Sequence, residues 1–401
     1  MNKIFLTFLF YSQLSFFYCQ SWTQLLDFPG TARDDGIAFT INNKAYCLSG
    51  LEVGWQCTGN GYSFDGFSEV WSPVAPLPNG KERQYSTGFG YNGFGYLLGG
   101  VNCSGICLKD FWQYSVSTNS WTALNDFPGQ GRQGMSNFMI NNKLYVVGGR
   151  LTDNSAINEV WEYNFTLNNW TQKNNLPVLG MWRGAAFAID TVGYICYGIS
   201  NTTSNTFNHH IFKYNHTNDV WSILPNITLP ARNYIGCAVA NKKAYLYGGQ
   251  DSLNLITNDI IQFNAEDTSL VTYQGIPTIG RKGTMTFSLN DVIYITTGLD
   301  ETQNRIKETW KNTDFVGLQE NSSPLDVTIF PNPANEKLFL KINATSNVTI
   351  QMHNQIGEML YTIDGDHKNI EINTSLFADG IYFLTCKAKH GTSQKKLIIN
   401  H

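Results

Sequence analysis

Charge is scarce in this sequence of 401 residues. Asp, Glu, Lys and Arg together make up 14%, against roughly 25% in ordinary soluble domains. Lys plus Arg number 27 and Asp plus Glu 31, a net charge of −4, so the chain lacks the basic face of a nucleic-acid binder. Proline is sparse, with 12 residues, and histidine sparser, with 7. Almost no segment has a helical period, which argues against helical architectures. After the first 19 residues no apolar run approaches the ~20 residues of a membrane-spanning helix. No phosphate loop, zinc spacing or Ser-His-Asp order appears. What is plentiful is aromatic residues, at 14%, and glycine, at 36 residues. Hydrophobic residues reach 42%, enough to fill a core and exclude wholesale disorder. The length predicts two domains or one large repeat fold.

The first 19 residues read as a secretory signal. Lys3 supplies the positive start, and residues 4–18 are apolar and uncharged. That run is short for a membrane anchor, the alternative reading, and cleavage is expected near Cys19–Gln20. Export changes the meaning of the eight cysteines, because thiols oxidise outside the cytosol. Cys103 and Cys107, in one small loop with Gly105, are the expected disulfide. Free thiols are the alternative, and a metal site would need two more ligands that no neighbouring His or Cys provides. Cys47 and Cys57 form a second candidate pair. Cys196 and Cys237 lie in apolar strand patterns and are expected in the core.

A period of about 50 residues decides the fold. An arginine opens each of six units: Arg33, Arg83, Arg132, Arg183, Arg232 and Arg281, spaced by 50, 49, 51, 49 and 49. A tyrosine follows, thirteen residues on in most units: Tyr46, Tyr96, Tyr145, Tyr194, Tyr245, Tyr294. Four residues later comes a glycine, doubled at Gly99–Gly100, Gly148–Gly149 and Gly248–Gly249. A Trp and then Leu-Pro or Phe-Pro close most units, as in Trp121 to Pro128. Each unit reads as four short strands, with a hairpin at Asn141–Asn142 in the third, where Asn tolerates positive φ. A sheet this small cannot bury both faces, and six of them stacked about an axis form a β-propeller. The sixth unit lacks its Trp strand, and residues 21–29 supply the missing one, which predicts that the first strand pairs into the last blade and closes the ring.

Arg before the first strand, Tyr-x-x-Gly-Gly ending the second and Trp opening the fourth resemble the kelch repeat. The resemblance covers residues 20–312 and implies a six-bladed kelch propeller, similar to galactose oxidase and to kelch-type sialic acid mutarotases. Tyr197–Gly198, Thr297–Gly298 and the Trp-less end of unit five depart from the pattern. Copper chemistry of the galactose oxidase kind needs two His and two Tyr near the axis. The propeller contains only His209, His210 and His216, all in unit four, so no metal and no cofactor is expected.

Residues 313–325 break the period and read as a linker. Residues 326–401 then show about seven alternating strands, the pattern of a small Ig-like β-sandwich. Ile329-Phe-Pro-Asn-Pro333, Gln355-Ile-Gly-Glu358, residues 376–382 and the basic end at 395–399 resemble the type A sorting domain of the type IX secretion system. That implies a Bacteroidetes-type bacterium and the type IX machinery as a partner, with residence outside the cell or on the outer-membrane surface.

Function is expected at the propeller mouth, where the loops before each first strand converge. All six opening arginines lie on those loops and suit an anionic group, or they serve as hydrogen-bonding residues between blades. Tyr85, Trp182 and Tyr234 stand beside them as stacking surfaces for sugar rings. The expectation is a secreted or surface-displayed kelch protein that binds a glycan or protein ligand. The alternative is an extracellular sugar-modifying enzyme of the sialic acid mutarotase kind, with Asp34, Asp35 or Glu82 as acid–base group.

Overall fold

Alternation over five positions builds the innermost strands. In Ile37–Ile41 the side chains of Ile37, Phe39 and Ile41 are buried between sheets, and Ala38 and Thr40 face the other way. The computed structural model describes residues 22–312, 326–343, 347–354, 359–365, 369–388 and 391–401. The expected signal (1–19), the linker (313–325) and Gln355-Ile-Gly-Glu358 lie outside the described residues.

Six four-stranded antiparallel sheets follow one another. Blade three is representative: Ser136–Ile140, Lys143–Val147, Val160–Asn164 and Asn169–Lys173, each paired to the next. Blades one, two, four and five begin at Ile37–Ile41, Thr87–Tyr91, Ala185–Ile189 and Gly236–Ala240. Blade six consists of Met285–Leu289, Val292–Thr296 and Thr309–Asn312, and its outermost strand is Trp22–Gln24 from the front of the chain. Trp22 sits opposite Asn312 and Gln24 opposite Trp310. Pairing the two ends of the propeller covers an edge that would otherwise offer unpaired backbone groups.

Aromatic pairs across the two inner strands fill the wedges between blades. Phe39–Tyr46, Phe89–Tyr96, Phe138–Tyr145, Phe187–Tyr194 and Phe287–Tyr294 stack with centroids 5.0–5.5 Å apart. The repeated glycine stitches blades together. Gly50, Gly100, Gly149, Gly198, Gly249 and Gly298 each donate an N–H to the backbone carbonyl at the start of the next blade, at 2.8–3.2 Å. At Gly100 φ is +99° and a Cβ would lie 2.7 Å from the Gln84 carbonyl oxygen, so only glycine fits.

Residues 317–401 form a second unit. A three-stranded sheet (Asp326–Phe330, Lys337–Asn343, Asn369–Asn373) and a four-stranded sheet (Val348–His353, Met359–Gly365, Gly380–Ala388, Gly391–Ile399) enclose Leu338, Ile350, Leu384 and Leu397, all fully buried. No helix among the described residues is long and apolar enough to cross a membrane.

Candidate functional site

Five of the six opening arginines do not reach the mouth. Arg33, Arg83, Arg132 and Arg281 are at most 1% exposed and Arg232 is 9% exposed. Each guanidinium turns back into its own blade and meets a carboxylate: Arg83 with Asp110, Arg132 with Glu159, Arg232 with Asp259 and Arg281 with Glu308, at 2.5–2.7 Å. Each acid lies 27 residues beyond its arginine. In blade one the partner is Glu52, at 2.6 Å. A buried guanidinium is tolerable only with its donors filled, and backbone carbonyls such as Gly99 O take further bonds. Burial works against the charge on Asp110, but the hydrogen bonds and charge of Arg83 outweigh it and hold the carboxyl below its usual range. The expected collar of arginines is therefore a set of struts inside the blades.

Arg183 is the exception, because it occupies a different register. Measured back thirteen residues from Tyr194, the strut position of blade four is Met181, which is fully buried. Asn208, 27 residues on, donates to its sulfur. Arg183 falls two residues later, level with Asp35, Tyr85, Gly134, Tyr234 and Gly283 of the other blades. These six residues form the throat. All have φ between +56° and +64°, a strained conformation for Tyr, Arg and Asp of the kind that collects at ligand sites. Backbone bonds hold the strain. Tyr85 N–H donates to Asp35 O, Gly134 N–H to Tyr85 O, Arg183 N–H to Gly134 O, Gly283 N–H to Tyr234 O and Asp35 N–H to Gly283 O, at 2.8–3.2 Å.

The throat pairs unlike groups across the axis. Blade four faces blade one, and Arg183 Nη1 lies 3.3 Å from Asp35 Oδ1, with both side chains buried. Blade two faces blade five, and the guanidinium carbon sits 3.3 Å from the Tyr85 ring centroid and 3.6 Å from that of Tyr234. Blades three and six contribute Gly134 and Gly283, where a Cβ would strike Trp182 Nε1 and Asp35 Oδ1. All six blades line a cavity of about 150 Å³ at this level.

One residue earlier stand Asp34, Gln84, Gln133, Trp182, Asn233 and Lys282. Arg305 Nε donates to Asp34 Oδ1 at 2.7 Å, and Arg150 covers the Trp182 ring at 4.0 Å. Lys282 lies 4.9 Å from the Tyr234 ring. The throat and the loops that flank it carry four cations, Arg150, Arg183, Lys282 and Arg305, together with the carboxyls of Asp34, Asp35, Asp251 and Asp300. Burial, then the charge of Asp35, pushes the Asp34 carboxyl up against the pull of Arg305. Burial lowers Lys282 and raises Tyr234.

Several polar atoms here are buried without a hydrogen-bond partner among the described residues. They are the donors Arg150 Nε, Trp182 Nε1, Arg183 Nε and Arg183 Nη2, and the acceptors Gln84 Oε1, Gln133 Oε1 and Asn233 Oδ1. Buried polar groups are normally satisfied, so a cluster of them at one throat marks a place for a polar guest. Arg150, Lys282 and Arg305 went unread in the sequence. Arg150 follows Gly149 directly, and that position bridges back to the throat loop in every blade.

The cysteine expectation is corrected. Cys103 bonds Cys57, 46 residues away, and Cys107 is a free, buried thiol. The two bonded cysteines sit one repeat apart, so neighbouring blades bring their loops together. Glu82 is half-buried just after a turn, accepting from Gly80 N–H, and does not line the throat cavity. His209 and His216 meet backbone carbonyls. Among the described residues no group of three or more His, Cys, Asp or Glu could hold a metal ion.

The fold and its throat define a kelch-type propeller. Residues 95–316, more than half of the chain, match the attractin/LZTR1 β-propeller family, and the protein belongs to it. Residues 328–400 match the secretion-system C-terminal sorting domain, so the protein is a secreted one that uses the type IX machinery to reach the cell surface or the medium. A Kelch-like protein, terF of Aspergillus terreus, is 27% identical over 118 residues, 27% of this chain and 26% of that protein. The chain thus spans about a quarter of that relative's length. The solved structure of YjhT is similar in fold, with a TM-score of 0.59 at 18% identity over 71% of this chain and 96% of that one.

Proposed function

We propose that this secreted propeller binds a small, hydroxyl-rich anion, an acidic sugar, at the axial throat. One observation carries the reading: the Arg183 guanidinium lies on the axis between two tyrosine rings with Nε and Nη2 buried and unpartnered. A carboxylate accepts such a pair of parallel N–H donors. The neighbouring unpartnered acceptors on Gln84, Gln133 and Asn233 suit hydroxyl groups, which donate as well as accept. The throat cavity of about 150 Å³, lined by the throat residues and those that follow them and not by Gln84, Gln133 or Asn233, has room for a small group and not for the face of a folded protein, which favours glycan over protein.

Calorimetry with N-acetylneuraminic, glucuronic and galacturonic acids, against glucose and galactose as neutral controls, tests this. The acids are expected to bind and the neutral sugars not. Arg183→Ala is expected to weaken the acids by about 10- to 100-fold, the worth of one charged hydrogen-bond pair at ~1.5–3 kcal/mol. A folded Arg183→Ala protein that holds every acid as tightly as the wild type would refute the reading. A second reading, an enzyme that anomerises the bound sugar, draws on Asp34, whose carboxyl is pushed up by burial and then by the neighbouring Asp35, as an acid–base group needs. NMR exchange between anomers, accelerated by the wild type and not by Asp34→Asn, is the outcome that would establish it.

A further inference from the structure

We infer that Trp55 forms a second subsite at the rim, stacking the sugar unit next to the bound acid, so that the funnel reads the acidic end of an oligosaccharide. This rests on the axial reading above and extends it outward. Trp55 is 76% exposed, the only exposed tryptophan of ten. The others pack against blade residues, because an indole left in water forfeits burial of roughly 150–250 Å². Trp55 is not on a loose tip. It sits at φ +61° in the turn of a short hairpin, Leu51–Glu52 with Gln56–Cys57. Cys57 ties that hairpin to Cys103 on blade two.

A continuous run of contacts joins this ring to the throat. The Arg305 guanidinium lies 5.3 Å from the Trp55 ring centroid, and its Nε donates to Asp34 at 2.7 Å. Asp34 adjoins Asp35, which pairs with Arg183 at 3.3 Å. A sugar whose carboxylate reaches Arg183 therefore leads its next unit out past Arg305 to Trp55. The apolar C–H face of a pyranose gains by covering an exposed indole. A ring already held in place loses little freedom on binding.

The test uses the full chain and two matched probe pairs: galacturonic acid with trigalacturonic acid, and N-acetylneuraminic acid with sialyllactose. For the wild type the oligosaccharide of a pair is expected to bind about 10-fold more tightly than its acid alone. Trp55→Ala is expected to bring that ratio to about 1, and Trp55→Phe to keep part of it. Cys57→Ser combined with Cys103→Ser, which frees the hairpin, is expected to reduce the ratio as well. A wild type without preference for either oligosaccharide, or a Trp55→Ala protein that keeps the preference, overturns the rim subsite while leaving the axial site standing. Absence of binding by all four probes refutes the axial reading, and the rim subsite falls with it.

Discussion

Arg183 shares a residue type with Arg83 and little of its environment. Arg83 spends its donors on Asp110 and on backbone carbonyls. Arg183 has one carboxylate, from the opposite blade, and three aromatic rings, those of Tyr85, Tyr234 and, further off, Trp182. The distinction was written in the sequence as an offset, eleven residues before the tyrosine instead of thirteen, but arginine identity masked it. Which donors stay unpaired was not legible, because that depends on where five other blades place their side chains. Asp34 carries a pH prediction. Its carboxyl moves from an ordinary 3.8 to about 8 in the folded protein, chiefly through burial. The folded state thus holds a proton that the unfolded chain releases, and stability falls as pH rises across that window. Asp34→Asn, which cannot ionise, is expected to flatten this part of the profile. Urea midpoints at pH 5 and pH 9 check it: the wild type should lose more between them than the variant, and equal losses would place the proton elsewhere.

At the scale of the blade, the strut from arginine to acid joins the loop before the first strand to the start of the third. Blade four replaces it with Met181 and Asn208, so the same fold is held once by sulfur and apolar contact. The two solutions should respond differently to substitution. Arg83→Ala takes the guanidinium from Asp110, leaving it Trp112 Nε1 and Lys81, and leaves the Gly99 carbonyl with Ser86 Oγ alone; it is expected to cost about 3 kcal/mol. Met181→Leu conserves volume and should cost under about 1.5 kcal/mol. Chemical denaturation of both variants measures the contrast, and similar losses would show that the ion pairs are ornamental. Strand order and blade count were legible, because alternation and the Tyr and Gly positions repeat locally. The bond from Cys57 to Cys103 was not, because Cys107 is nearer in sequence. Only the stacking of blade on blade makes a separation of 46 residues a short one.

At the scale of the molecule, closure depends on three residues. Trp22–Gln24 completes blade six, and Phe28 follows, fully buried against Tyr62 and Trp71 of blade one. Deleting residues 1–29 is expected to bare the edge of Thr309–Asn312 and drive association through it, seen as a lower melting temperature and larger species in light scattering. The C-terminal unit makes the opposite prediction. Its seven strands enclose their own core, and the ring closes without it. A chain ending at Val316 should therefore melt within ~2 °C of the propeller transition of the full protein, since each unit has a core of its own. The same truncation removes the sorting domain, so the protein should accumulate inside the outer membrane instead of on the cell surface or in the medium. Cell fractionation with immunoblotting separates the two effects. A truncated chain that still reaches the surface would mean that a signal within the propeller serves export, and one that fails to fold would mean that the ring leans on its neighbour.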